Sequence, residues 1–339
     1  MKISIKNPAS TLLVLLALSL PTSAQVIITS GTTSTSDAAN TTAGGQTYNS
    51  TRVALQSFTA GGETYAVSGM ADQIFIRRNG VSADLANVWY ATTPTDVRIG
   101  SYATSFDQVL LNNDFTRGVH NLFGNGTGNG AFSNVERLDL VASAGFTATA
   151  GLAIPVFDFG TPTNHESFKI ALITGIDGGG NPTAYGPLAG IGAGWGQANV
   201  YTHNTFAIQR YTDGDVTTEA NFYSLFNGAT QGAGGVAFSL ADLGVVPGTT
   251  VYGYSLFGFD VTDAGNSANL LNWNNSTYFP TTTPSGEGQA GGFDFASVNG
   301  VFFSAVPEPS SFGLAAFAAL AGQAVWRRRR RHAPVATRA

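Results

Sequence analysis

Short apolar runs alternate with turn-forming clusters along most of the chain, and no stretch between the two ends keeps a helical period. Residues 53–58 alternate apolar and polar positions, the period of a half-buried strand. The apolar pattern of 73–76 runs into Asn79-Gly80, a hairpin turn signal. Residues 88–90 are β-prone, 146–150 and 152–159 predict consecutive strands, and 168–174 predicts another that ends in the glycine-rich turn 177–182. Runs at 205–211, 235–240, 251–261 and 298–304 complete the set, and a single turn at 240–243 is the best helical candidate. Many short strands separated by Gly and Asn predict an all-β fold, a β-sandwich or a related two-sheet arrangement.

Residues 29–47 are rich in Thr, Ser, Ala and Gly. They predict a loose or edge segment, so 25–62 reads as a lead-in to a β-rich domain over 63–304. Residues 281–292 read as a long polar loop within that domain. No repeat of fixed length marks a solenoid.

Both ends depart from the strand pattern. Lys2 and Lys6 precede the apolar run 12–20, which is too short to span a bilayer; Pro21 ends it, and Thr22-Ser23-Ala24 supplies small residues. Residues 1–24 therefore predict a signal helix cut between Ala24 and Gln25. At the other end Val306-Pro307-Glu308-Pro309-Ser310 is followed by the charge-free run 312–326, then by Arg327, Arg328, Arg329, Arg330, Arg331 and His332. A helix over that run spans only about 22 Å of a ~30 Å hydrocarbon core. Snorkelling arginines close part of the gap, and the cluster favours the cytoplasmic side.

The order of Pro-Glu-Pro, short apolar helix and arginine cluster over 306–332 resembles the PEP-CTERM sorting signal of exported bacterial proteins. The resemblance implies recognition by an exosortase-type sorting enzyme and removal of the tail near the motif. It also implies transient residence in the inner membrane and delivery to the envelope, cell surface or extracellular space. A tail of this kind also occurs on ice-binding-type exported proteins, so it speaks to routing and not to activity. Strings such as Asp72-Gln73-Ile74-Phe75-Ile76-Arg77-Arg78-Asn79, Glu136-Arg137-Leu138-Asp139 and Tyr252-Gly253-Tyr254-Ser255-Leu256-Phe257-Gly258 are similar to a β-rich domain of exported proteins bearing the same tail. That similarity implies one unit over about 67–304 and supplies no catalytic residues.

Charge sharpens the picture. The formal net charge of −5 hides a segregation, because eight of the 16 basic residues lie at the two ends. Between 25 and 304 eight basic residues face twenty acidic ones, a net charge of −12. Such a surface repels phosphates and excludes nucleic acid as a partner. With no cysteine in 339 residues, thiol catalysis, zinc–thiolate sites and disulfides are excluded.

Catalytic patterns are not legible. Gly253-Tyr254-Ser255-Leu256-Phe257-Gly258 misses the nucleophile-elbow spacing by one residue and reads as a strand where backbones pack closely. The glycines of 190–196 lack dinucleotide-binding spacing, because Trp195 stands where the third glycine belongs. His120, His165 and His203 show no zinc-ligand spacing. Glu63, Glu136, Glu166 and Glu219 are available to a glycosidase, yet nothing pairs any two of them; Arg137 beside Glu136 and Asp139 reads as surface ion pairing. The strongest chemical pattern is a set of oxygen-rich turns: Asp177 with Asn181, Asp213 with Asp215, and Asp260 with Asp263 and Asn266. Hard oxygen ligands in glycine-containing turns suit a structural calcium ion, and the same residues also make solvated turns.

The functional expectation is a non-enzymatic cell-surface or extracellular-matrix protein associated with exopolysaccharide or adhesion. Two alternatives stay open. An exported polysaccharide-acting hydrolase requires two carboxylates converging in a cleft. An ice-binding-type protein requires a flat, regular threonine array.

Overall fold

In a computed structural model of the chain, the described residues are 25–36, 41–43, 46–48, 52–78, 86–90, 110–111, 113–120, 122–123, 135–160, 165–195, 200–203, 207–211, 222–223, 231–280 and 293–306. The expected signal helix, the apolar tail helix and the 281–292 loop lie outside them. The described residues form strands β1 (Val26–Ser36), β2 (Thr41–Ala43), β3 (Gln46–Tyr48), β4 (Arg52–Ala60), β5 (Glu63–Met70), β6 (Gln73–Arg78) and β7 (Ala86–Tyr90). Then come β8 (Arg117–His120), β9 (Val135–Thr147), β10 (Leu152–Gly160), β11 (Phe168–Ile176), β12 (Pro182–Tyr185), β13 (Ala189–Ile191) and β14 (Tyr201–His203). The last are β15 (Ala207–Tyr211), β16 (Phe222–Tyr223), β17 (Gln231–Ser239), β18 (Thr250–Phe257), β19 (Phe295–Ala296) and β20 (Val301–Ala305). No helix of seven or more residues occurs among the described residues, and none there is long and apolar enough to cross a membrane.

The large sheet closes on itself. Strand β17 pairs with β1, β1 with β4, β4 with β5, β5 with β20, β20 with β10, and β10 again with β17, every step antiparallel. This six-membered ring extends on one side through β19, β8, β7, β15 and β16. A second sheet, in the order β12-β11-β18-β9-β6 with β13 against β11, packs on the outside of the ring.

Alternation along single strands builds successive core layers. In β10, Ala153, Phe157 and Phe159 point into the ring, while Leu152, Ile154 and Val156 face the second sheet. In β11, Phe168, Ile170 and Leu172 meet that same layer, and Ala171 and Ile173 face outward into a third cluster. The third cluster is roofed by residues 261–279, which include the 3-10 helix Ser267–Leu271. Strands buried on both faces read as near-continuous apolar runs, which is why 152–159 and 168–174, interrupted only by Asp158 and by Lys169 and Thr174, are so visible in the sequence. The ring is filled: Phe58, Phe115, Phe157 and Phe303 are buried, with Phe115–Phe157 and Phe58–Phe303 centroids 5.1 and 4.9 Å apart in edge-on contact. Gly235 opposes Phe157 across the ladder, and a Cβ there would lie 2.6 Å from the Phe157 ring. The missing side chain is the space that ring occupies.

Several expectations change. The two-sheet arrangement holds, but one sheet is a closed ring and not an open sandwich layer. Residues 29–36 of the Thr/Ser tract are not loose: they belong to β1, an eleven-residue strand that pairs with β4 from Ile28 to Ser36 and with β17 at Val26 and Ile27. Its polar composition reflects outward-facing positions, while Ile28 is fully buried. Strand β9 starts eleven residues before the predicted 146–150 run, and 148–151 is the turn into β10. The 240–243 segment is turn, not helix. The 3-10 turns at Ser267–Leu271 and Ser297–Gly300 carry no periodic signal that would have predicted them.

Candidate sorting junction and buried polar sites

Strand β20 is the last element of the ring, and the sorting motif follows it without a linker. Ser304 and Ala305 pair with Ala66 and Tyr65 of β5. The Ala305 N–H donates to Gly151 O and the Val306 N–H to Thr64 O, both at 2.8 Å. Val306 is therefore held on the β5 edge, and Pro307, Glu308 and Pro309 begin one residue beyond a backbone hydrogen bond. Those three residues, Ala24 and Arg327 to Arg331 lie outside the described residues; Gln25 directly precedes β1.

Of the residues expected to bind calcium, Asp177, Asn181, Asp263 and Asn266 make hydrogen bonds within or beside their own turns. Asp177 Oδ1 accepts from the backbone N–H groups of Gly179 and Asn181 at 2.8 and 2.9 Å, and the Asn181 amide donates to both its oxygens. These bonds hold the Asp177 carboxyl below its ordinary value. Asn181 Oδ1, the atom a cation would need, accepts from Arg77 at 2.6 Å. Asp263 Oδ1 accepts from Gly265 N–H, and Asn266 Oδ1 caps the 3-10 helix at Ala268 N–H. Three of the expected ligands thus terminate their own turns. Asp213 and Asp215 lie outside the described residues. Among the described residues no three His, Asp or Glu side chains gather as a metal site.

Arg137 is not a surface residue. It is 3% exposed, and Asp139 is fully buried. Arg137 Nε lies 2.7 Å from Asp139 Oδ1, and Arg77 Nε lies 3.6 Å from Oδ2. Ser255 and Tyr185 hydroxyls donate to Oδ1 at 2.6 and 3.0 Å, and Arg137 Nη1 donates to Leu270 O at 2.6 Å. Arg77 and Arg137 are cross-strand partners, so Asp139 holds two like charges together while Arg137 ties down the 3-10 roof. Burial and the Asp139 charge push the Tyr185 phenol well above its ordinary value. This set clamps structure, and Ser255 hydrogen-bonds to Asp139 and Tyr185 within it. Gly253 sits at a bulge with φ +117°, and a Cβ would lie 2.0 Å from Leu140 O. The close-packing reading of the 253–258 string is the structural one.

His165 is a buried structural histidine. Its Nδ1 lies 2.5 Å from Trp195 O, and its Nε2 accepts the Gly234 N–H at 3.1 Å, so the neutral Nδ1–H form satisfies both. Burial lowers its pKa. Trp195, in the glycine-rich 190–196 segment, donates Nε1–H to Glu166 O. Gly190 and Ile191 of that segment belong to β13, and Gly194 and Trp195 clasp His165.

Among the described residues carboxylates come together around Asp158 and around Glu136. Asp158, fully buried, accepts from Glu166 N–H and Asp294 N–H, each at 2.8 Å. Burial, then the Glu166 charge, raises its pKa well above the ordinary value. Glu136, 3% exposed, is pushed up to about 8 by burial and by Asp260. Asp260, in the loop after β18, lies close enough to Glu136 of β9 for its charge to be felt there, a proximity invisible in sequence. Glu219 lies outside the described residues; Glu63 is exposed on β5.

A groove of about 340 Å³ opens where β5 and β20 diverge from β9. Leu152, Phe146 and Phe302 contribute apolar surface, and Ser68, Thr147, Thr149 and Ser304 contribute hydroxyls. Its one carboxylate, Asp72, is occupied by the Ser143 N–H and hydroxyl. The outward hydroxyls of β1, β4 and β5 fall into cross-strand rows such as Ser30–Thr59–Thr64, but bulges at Ile28/Ser30 and Thr32/Thr33 break the register of a regular array.

Residues 305–330 match the PEP-CTERM protein-sorting motif. The match begins at the last residue of β20 and marks the chain as one exported and sorted to the envelope or surface by an exosortase. Comparison with curated proteins and with solved structures gives no match.

Proposed function

We propose that this exported, sorted chain is a non-enzymatic surface or matrix protein whose β-domain holds exopolysaccharide. The observation that carries the reading is the junction: the motif leaves directly from the closing strand of the ring. Trimming beyond Pro309 then delivers an intact, hydrogen-bonded domain. The groove beside β20 supports a sugar ligand, because apolar ring faces and hydroxyl groups are the two surfaces a pyranose presents.

Two measurements test this. Mass spectrometry of the mature protein from cells with an active sorting enzyme should find a carboxy terminus near Pro309; recovery of the chain through Arg331 removes the processing step. The purified 25–309 domain should be retained on the host's exopolysaccharide, and Phe146→Ala should release it at least about threefold faster. An unretained wild-type domain sinks the polysaccharide reading while leaving the sorting one intact.

A further inference from the structure

Both chain ends leave the ring side by side. Strand β1 enters next to β4, with Ile28 opposite Ala60, and β20 leaves next to β5, with Ala305 opposite Tyr65. Between them lies the β4–β5 turn at Gly61 and Gly62. A Cβ on Gly61 would lie 3.2 Å from Val26 Cγ1, and Val306 is bonded to Thr64 on the other flank. The turn 148–151 and the loop 240–249 reach the same end, through the Ala305–Gly151 and Gly248–Ala148 hydrogen bonds.

This end also carries exposed apolar side chains. Seven large hydrophobic residues are exposed among the described residues, and four of them are here: Val26, Ile27, Val306 and Val246, the last 70% exposed. No lysine or arginine occurs in 25–30, 59–66, 147–152, 239–250 or 304–306. The end lacks cations, and its carboxylates are Glu63 beside the β4–β5 turn and Asp242, which accepts from Ser239 in its own loop.

Chain length determines what this end meets. Only the six residues 306–311 separate β20 from the apolar run 312–326. Fully extended they reach about 20 Å. The apolar run 12–20 lies a similar distance before β1. We propose that the end formed by Val26, Ile27, the β4–β5 turn, Val246 and Val306 is a membrane-contact face, seated on the outer leaflet until the tail is cut. The inference rests on the reading of 312–326 as a membrane segment. It assigns the domain an orientation, with β5 rising from the bilayer at Glu63 and ending at Met70 about 23 Å along the strand.

The absence of native cysteine makes single-site labelling specific. The full chain, made in a host without a sorting enzyme, is reconstituted in phosphatidylethanolamine–phosphatidylglycerol vesicles containing a nitroxide-headgroup lipid. Fluorophores are placed at Glu63→Cys, Val246→Cys and Met70→Cys. Quenching should be at least about twofold stronger at 63 and 246 than at 70, and unchanged by salt, as an apolar contact requires. Adding Val246→Asp should weaken quenching at 63, because the contact and not the tether alone holds the face down. Equal quenching at the two ends of β5, or stronger quenching at 70, overturns the proposal. Failure of the unlabelled chain to float with vesicles instead overturns the membrane-segment reading, and the face with it.

Discussion

The Asn299 side chain pairs with the backbone of Phe157 as a neighbouring strand would. Its amide oxygen accepts the Phe157 N–H at 2.7 Å and its NH₂ donates to Phe157 O at 2.9 Å. The contact fills a gap in the β10 ladder, where β20 reaches only Leu152 and Ala153 and β19 only Asp158. Asn299→Ala would orphan two buried backbone groups, each worth about 1–3 kcal/mol. A loss of about 3 kcal/mol in urea unfolding is expected, and a loss below about 1 kcal/mol would show that water replaces the side chain.

Asp139→Ala leaves Arg137 and Arg77 opposite one another without their shared counter-charge. Breaking a buried pair in this way costs about 3–5 kcal/mol. Thermal unfolding should show the drop, and hydrogen exchange should rise around Leu270, whose carbonyl Arg137 holds.

Gly253→Ala should destabilise by about 3 kcal/mol or more, since a side chain meets both positive φ and the Leu140 carbonyl. Gly178→Ala, with open space around the added atom and no positive φ, serves as the control and should change stability by less than about 1 kcal/mol.

Stability should depend on pH at Glu136. Its folded pKa, about 8, lies above the ordinary 4.5, so the folded state binds the proton more tightly. That contribution is complete below about 4.5 and is lost as pH rises towards 8. Glu136→Gln should flatten the alkaline limb of the Tm–pH curve; an unchanged limb would place the titration elsewhere. His165 acts in the opposite direction: its pKa is lowered, so its contribution is complete above about 6.5 and fades on acidification.

In protein equilibrated with calcium, adding a chelator should leave Tm unchanged, because the Asp177, Asp263 and Asn266 oxygens cap their own turns. A fall of several degrees on adding chelator would demonstrate a calcium site and reverse this assignment.

What the sequence alone determined is local or compositional. The all-β class follows from short apolar runs and turn residues, because strand period and turn chemistry are properties of neighbouring residues. The doubly buried strands β10 and β11 are visible as near-continuous apolar runs for the same reason. The sorting motif is legible as three blocks in fixed order, which needs no fold to be read. Tertiary structure alone decided the closure of the ring, since pairing β20 with both β5 and β10 joins residues more than two hundred positions apart and residues about 150 apart. It also decided the sign of individual polar residues. Asp177 and Asp139 are both carboxylates beside turns or charges in sequence, yet one caps an exposed turn and the other balances two arginines in the interior. Their roles depend on which donors arrive from distant strands, and a hydrogen bond is specified by that arrival and not by residue type.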